Sequence, residues 1–303
     1  HTLFKERIFP VLDKNERVFL ILLDNFRLDQ WFSIKPLLID YFSINEDVYF
    51  SILPTATQYA RNALLSGQTP LQLSKAYPQL WVDEGDDQGK NLSEDVLLKA
   101  FIDKFRPGTK VGYRKVNSNA EGERLLLDFN ALENNNLNVI VFNFIDILSH
   151  ARTEQKMLQE LVPNEAAYRS LTHAWFQHSP LFTLLKRISE KGYKAVFTTD
   201  HGTIRVKNPL KIVTDKSAST NPRYKVGRHM TYDNKKVFEV LQPELIGLPS
   251  PNLSSRYVFA LSDSFFAYQS NYNNYVSFHE DSFQHGGVSM EEMMVPFAVL
   301  SSK

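Results

Sequence analysis

The sequence contains no cysteine in 303 residues. That excludes disulfides and thiolate-ligated metal; any metal must be held by His, Asp, Glu or hydroxyl groups. The absence also suits a cytoplasmic location. Net charge is missing too: Lys+Arg and Asp+Glu each number 34. The chain as a whole offers no basic field to duplex DNA or to an anionic membrane, so only a local patch could serve. No apolar run approaches the roughly 20 residues that span a bilayer, and membrane insertion is not expected. The opening, "HTLFKERIFP", lacks the apolar core of a signal peptide and does not begin with Met, which reads as the edge of a longer chain. Internal repeats and low-complexity segments are absent as well.

What is present is a composition for a packed core, 43% apolar and 22% charged. Strand signals fall at 17–24 ("RVFLILLD"), 47–53 ("DVYFSIL"), 137–146 ("LNVIVFNFID") and 193–200 ("YKAVFTTD"). The first, third and fourth are nearly continuous apolar runs, as expected of strands buried on both faces. Helical patterns alternate with them: 55–67, 93–105 with Ser93 as N-cap, 119–134, and a long one over about 164–191 closed by Gly192. Alternation of this kind predicts an α/β fold with a mainly parallel sheet. Further strands are expected at 256–262, 274–278 and 295–300. The stretch 81–93, acidic and Gly-containing, reads as a solvated loop, and 206–254, polar and rich in turn formers, as an excursion from the sheet.

Chemistry gathers at the strand ends, where open α/β sheets hold their ligands. Asp24, Asp146 and Asp200 each close an apolar run, and buried carboxylates are costly unless paired or bound to metal. His201 follows Asp200 directly. His150 follows Asp146 by four residues, so one helical turn brings it back over the carboxylate. His285 opens "HGG", where glycines let the backbone pass close to a ligand. Three Asp and three His without sulfur suit zinc or manganese. Thr57 begins a helix after Pro54, where backbone N–H groups favour an anion and a metal could activate the hydroxyl. Arg61 lies one turn on, placed to grip a phosphoryl or sulfuryl oxygen. Each part alone has an ordinary reading: an N-cap, a surface arginine, a core histidine. Their order along the chain is what carries the signal.

That order, Asp, Thr, Asp-x3-His, Asp-His, His-Gly, resembles the alkaline phosphatase superfamily, and the match runs from Asp24 to His285. The resemblance implies an alkaline-phosphatase-like, doubly wound mixed or parallel sheet flanked by helices, with an inserted cap-like segment. The expected layout is one domain over 1–303, with a core at about 15–205 and 255–303 and an excursion at about 206–254. It also implies two metal ions, zinc with manganese as the other candidate. Asp24, Thr57, Asp200 and His201 would hold one; Asp146, His150 and His285 would hold the other. "ILPTATQYARNALLSG", "FIDILSH", "TTDHG" and "NPRYKVGR" look like the PglZ branch, and within it the effector half of PorX-type response regulators of type IX secretion. An upstream receiver domain, and a second copy of the protein, are partners this implies.

The function so implied is a zinc-dependent phosphodiesterase acting on nucleotides or on single-stranded or cyclic oligonucleotides, with Thr57 as nucleophile and Thr55 next in line. The diesterases of the superfamily carry an Asn beyond the nucleophile helix, but "PLQLSKAYPQLW" has none, which leaves Asn62 as the neighbouring candidate. Arg61, Asn62, Arg223, Lys225 and Arg228 are the expected substrate contacts, the last three as a basic cluster with Tyr224 as a stacking surface. The competing readings are a phosphomonoesterase or sulfatase, the latter disfavoured because residue 57 is neither Cys nor Ser, and a signalling module that binds metal and nucleotide without turnover.

Overall fold

The computed structural model describes residues 1–15, 17–82, 92–214, 218–252 and 254–303. The loop expected at 81–93 lies largely outside the described residues. At the centre is a six-stranded sheet whose order across is Phe42–Phe50, Met294–Ser302, Lys194–Thr198, Val18–Leu23, Leu137–Phe142, Val111–Val116. The Val18–Leu23 strand runs parallel to Leu137–Phe142 and Lys194–Thr198, and Val111–Val116 runs parallel to Leu137–Phe142. Only Met294–Ser302 is reversed, pairing antiparallel with both neighbours. The sheet is therefore mixed, as expected, and helices flank it.

The apolar runs explain the layout. Every residue of Val18–Leu23 and Leu137–Phe142 is buried, since these strands lie between two layers of side chains. On one face Phe19, Ile21, Phe197, Trp31 and Leu185 share a core; on the other Leu20, Leu22, Val139 and Val196 pack with Phe101 and Ile102. The strand at 42–50 starts earlier than expected and is largely exposed, an edge strand that reads "FSINEDVYF" because charge guards an open edge. The other edge strand, Val111–Val116, was not expected from sequence: "VGYRKV" is too polar to stand out.

Two helix expectations and one strand expectation are corrected. The long helix at 164–191 is two, Glu165–His178 and Pro180–Glu190, broken at Ser179 because Pro180 cannot continue the first and Ser179 caps the second. The 119–134 segment is likewise divided at Asp128. The segment 274–278, expected as a strand, lies in the helix Tyr272–His279.

After Thr198 the chain leaves the main sheet. It builds two three-stranded sheets, one from Val237–Val240, Arg256–Ala260 and Tyr224–Gly227, the other from Ser264–Tyr268, Asn208–Thr214 and Met230–Thr231. The excursion thus takes in 256–268, which had been expected with the core. Only Met294–Ser302 returns to the main sheet.

Candidate active site

The strands parallel to Val18–Leu23 all open their carboxyl ends toward one edge of the sheet, and the expected residues meet there. Asp24 follows Leu23 directly, and Asp200 and His201 lie just past Thr198. Asp146 is not at a strand end: its strand stops at Phe142, and it sits in the first turn of the helix Phe144–Glu154. The helix places His150 one turn on, its Nε2 3.5 Å from Asp146 Oδ1. His285 comes from the short strand Phe283–Gln284 and its Nε2 lies 3.8 Å from the same oxygen. Two groups of ligand-bearing side chains result, Asp24 with Asp200 and His201, and Asp146 with His150 and His285, the ligand atoms of each group within 4.8 Å of one another. The His201 and His285 rings stack at 4.3 Å and join the two groups.

Thr57 stands beside the first group. It is the first residue of the helix Thr57–Ser66, and its Oγ1 lies 3.3 Å from Asp24 Oδ1 and 3.1 Å from His201 Nε2. The helix ends at Gly67, whose φ of 64° a side chain would resist, and whose added Cβ would meet the Phe101 ring at 2.2 Å. Thr55 holds the strand-to-helix turn against the His-Gly-Gly segment: its Oγ1 donates to the Gly287 carbonyl (2.9 Å) and accepts from Gly286 N–H (3.0 Å). The Thr55 carbonyl accepts from His285 Nδ1 at 3.1 Å, and the Gly202 carbonyl from His201 Nδ1 at 3.1 Å. A carbonyl only accepts, so both rings carry their proton on Nδ1 and leave Nε2 free to ligate.

Electrostatics make the site unstable on its own. Burial, reinforced by Asp200 and Asp146 and opposed by Arg61 and His201, pushes the Asp24 carboxyl up to about 6. Asp200 is also raised, first by burial. Burial would raise Asp146 too, but the hydrogen bond from His150 and the charges of His150 and His285 hold it well below the usual range. His285 is pushed down to about 4 by burial and by the neighbouring His201. The Oδ2 atom of Asp200 is buried without a hydrogen-bond partner. Crowded carboxylates, neutral imidazoles with free Nε2 atoms and an orphaned carboxylate oxygen together fit a divalent cation.

The expected substrate contacts fare differently. Arg61 was expected to grip a phosphoryl oxygen, but its side chain is 1% exposed and lies under the site, bound to Asp24 Oδ2 (2.8 Å) and Glu94 Oε1 (2.6 Å). Glu94 is held in turn by Tyr113 and Lys115. Asn62 is buried in the same helix and does not line the cleft. Arg223 is fully buried in a bidentate pair with Glu292 (3.0 and 2.6 Å). Lys225 is buried and donates to the Ser219 carbonyl (2.9 Å) and the Tyr268 hydroxyl (2.8 Å). Arg228 is exposed in a turn away from the cleft. Of that cluster, only Tyr224 lines the cleft, a cavity of about 520 Å³ that also takes in Thr57, Asp146, His150 and His285.

Sequence reasoning passed over several residues that matter here. Asn25, in the left-handed conformation at φ 62°, donates to Asp146 Oδ1 (3.2 Å) and Ser149 Oγ (3.1 Å). Its place beside Asp24 was the available signal, since Asn tolerates that conformation. Glu94 and Glu292 gave no signal: each balances an arginine far away in the chain.

Residues 3–300 match the family model described as the BREX system PglZ alkaline phosphatase-like domain. No curated protein matches the chain. Among solved structures, murine ectonucleotide pyrophosphatase/phosphodiesterase 5, an inactive form in complex with AMP, superposes with a TM-score of 0.59 at 12% identity, covering 93% of this chain and 87% of that one. Phosphonoacetate hydrolase from Sinorhizobium meliloti, in complex with phosphonoformate, gives 0.56 at 11% identity, covering 94% and 90%. At such identities the likeness shows a shared fold.

Proposed function

Because the chain belongs to the PglZ family of alkaline phosphatase-like domains, we propose that it is a two-metal phosphodiesterase of nucleotides or single-stranded oligonucleotides, cyclic ones included. The observation that carries the proposal is Thr57: a hydroxyl at a helix N-terminus, 3.3 Å from Asp24 and 3.1 Å from His201, at the junction of two ligand groups. A module that only binds has no need of it.

Asp24, Asp200, His201 and Thr57 would hold one ion, and Asp146, His150 and His285 the other, with zinc the proposed metal. When bound, such ions lower the pKa of a coordinated hydroxyl or water and neutralise charge developing on phosphoryl oxygens. The chain's own groups do the rest. The Thr57 hydroxyl, losing its proton, attacks phosphorus; a Thr57 Oγ–P bond forms and the P–O bond to the leaving nucleoside breaks, that oxygen taking a proton. Water then cleaves the Oγ–P bond, releasing a phosphomonoester and restoring the hydroxyl. The helix amide dipoles at Thr57 favour the phosphoryl charge through both steps. Thr55 and Asn25 keep His285 and Asp146 in place.

We extend the proposal to the setting the quoted segments resemble, the cytoplasmic effector of a two-component response regulator that follows a receiver domain; its support is those segments alone. The test is turnover of a chromogenic diester and of a dinucleotide by purified protein, with chelator and after zinc is restored. Thr57→Val, nearly isosteric, is expected to fold, to keep part of its metal and to lose at least about 100-fold in kcat, the scale of removing a nucleophile. Wild-type rates in Thr57→Val would move the nucleophile to Thr55 or end the proposal.

A further inference from the structure

The cleft that holds Thr57 is short of positive charge: among its described lining residues none is Lys or Arg, and Glu154 stands on its rim. Phosphates beyond the scissile one find no fixed cation there. What the cleft does have is an extension. Phe278 and His279 line both the 520 Å³ cavity and a second cavity of about 350 Å³, bounded further by Asn271, Asn274 and Tyr275. The second cavity runs along the helix Tyr272–His279.

Its walls are flat rings with amides beside them. His279 stacks on Tyr275 (5.8 Å between centroids, 28° between planes) and meets Phe278 edge-on (4.9 Å, 89°). Tyr275 is braced by Tyr268 at 4.8 Å. His279 is a neutral ring, since burial and Lys225 push it down to about 4. Phe278 is 53% exposed, an open aromatic face with packed rings behind it. Asn271 and Asn274 are exposed on the same stretch, each with a donor and an acceptor. A preformed aromatic face flanked by amides is how proteins hold an unstacked base, a contact every base can make.

We propose that this groove is a subsite for a nucleobase of the substrate, flanking the phosphodiester that sits against Thr57. The inference rests on the diesterase reading of the cleft and deepens it. It replaces charge by stacking as the source of affinity for the extended substrate. Recognition of this kind ranks substrates by their bases and changes little with salt, unlike a contact made by lysines and arginines.

The experiment compares a dinucleotide with the same molecule bearing a tetrahydrofuran abasic unit, in the wild type, Phe278→Ala and Phe278→Trp. The wild type is expected to favour the dinucleotide in kcat/KM by roughly 5- to 150-fold, the range of one base stack. Phe278→Ala should erase that preference by raising KM for the dinucleotide to that for the abasic compound, and Phe278→Trp should restore it. The preference should hold between 50 and 300 mM salt, to within about twofold. No preference in the wild type, or one that survives Phe278→Ala, overturns the proposal. So does an unchanged preference with an altered oligomeric state, because the groove is then covered by a second copy. A second readout is independent of turnover: 2-aminopurine riboside monophosphate, added to metal-loaded protein, should be quenched by the wild type and not by Phe278→Ala. Absence of quenching in the wild type sinks the subsite, whereas quenching without turnover of either substrate sinks the diesterase reading and leaves the subsite standing.

Discussion

Asp24 carries a raised carboxyl in the group it forms with Asp200 and His201. In the metal-free protein its carboxyl is pushed up to about 6 by burial and by two neighbouring carboxylates, so it carries a proton at pH 5 and has lost it at pH 8. A cation needs the ionised form. Binding therefore displaces that proton at pH 5 but not at pH 8, and affinity weakens as pH falls through about 6. His150, raised by its hydrogen bond to Asp146, adds proton release of the same sign. Zinc titrations by calorimetry, run in two buffers of different ionisation enthalpy, are expected to show more protons released at pH 5 than at pH 8, with Asp24→Asn removing part of the excess. Equal release at both pH values would mean that the carboxylate is ionised throughout. The residues brought together here, Asp24, Thr57, Asp146, His150, Asp200, His201 and His285, were legible because each stands a few positions past an apolar run or turn. Arg61, Arg223 and Lys225 were misread for an equally physical reason. A charge looks solvent-facing until its counter-ion is known, and Glu94 and Glu292 lie 33 and 69 positions from their arginines.

Among the elements, the His-Gly-Gly turn depends most on a distant partner. Glu292 binds Arg223 in two places and accepts from Gly287 N–H (2.9 Å) and Ser289 Oγ (2.6 Å). It thus ties the excursion to the segment that presents His285. Removing one member of a buried pair leaves the other uncompensated, which costs about 3–5 kcal/mol. Arg223→Ala is expected to lower stability by that order in denaturant unfolding and to depress turnover of small and extended diesters equally; a loss confined to oligonucleotides would return Arg223 to the substrate. The buried parallel strands were legible because both their faces are apolar. The edge strand at 111–116 was not, since an edge is polar by necessity. "NYVSF" alternates like a strand, yet Tyr275 and Val276 pack against Phe265 and Ala267 from a helix; tertiary packing overrode the local pattern. Pro180 after Ser179 was a stop signal that the long apolar period masked.

At the scale of the whole molecule, the candidate metal ligands span the chain from residue 24 to residue 285, and an unfolded chain would not bring them together. Zinc is expected to raise Tm by about 5 °C at a free concentration a hundredfold above Kd, from about 2.7 kcal/mol of linkage, and chelator to reverse it. Calorimetric scans with and without chelator check this, and superimposable scans would count against any structural hold of the metal on the fold. No helix among the described residues is long and apolar enough to cross a membrane.

The reversed strand has a consequence for synthesis. Met294–Ser302 is the last of the six strands in chain order, yet it lies inside the sheet, and the strand that leads to Thr57 has no other partner among the described strands. Ser51 continues that pairing through a bond to the Met293 carbonyl (2.8 Å). A nascent chain can bring the Asp24 and Asp200 strands together while the strand before Thr57 still has an open edge. The strand before Thr57 is thus seated by the last-made strand of the sheet, and a chain stopped short of residue 294 keeps the Asp24 and Asp200 strands paired but leaves the approach to Thr57 without its partner.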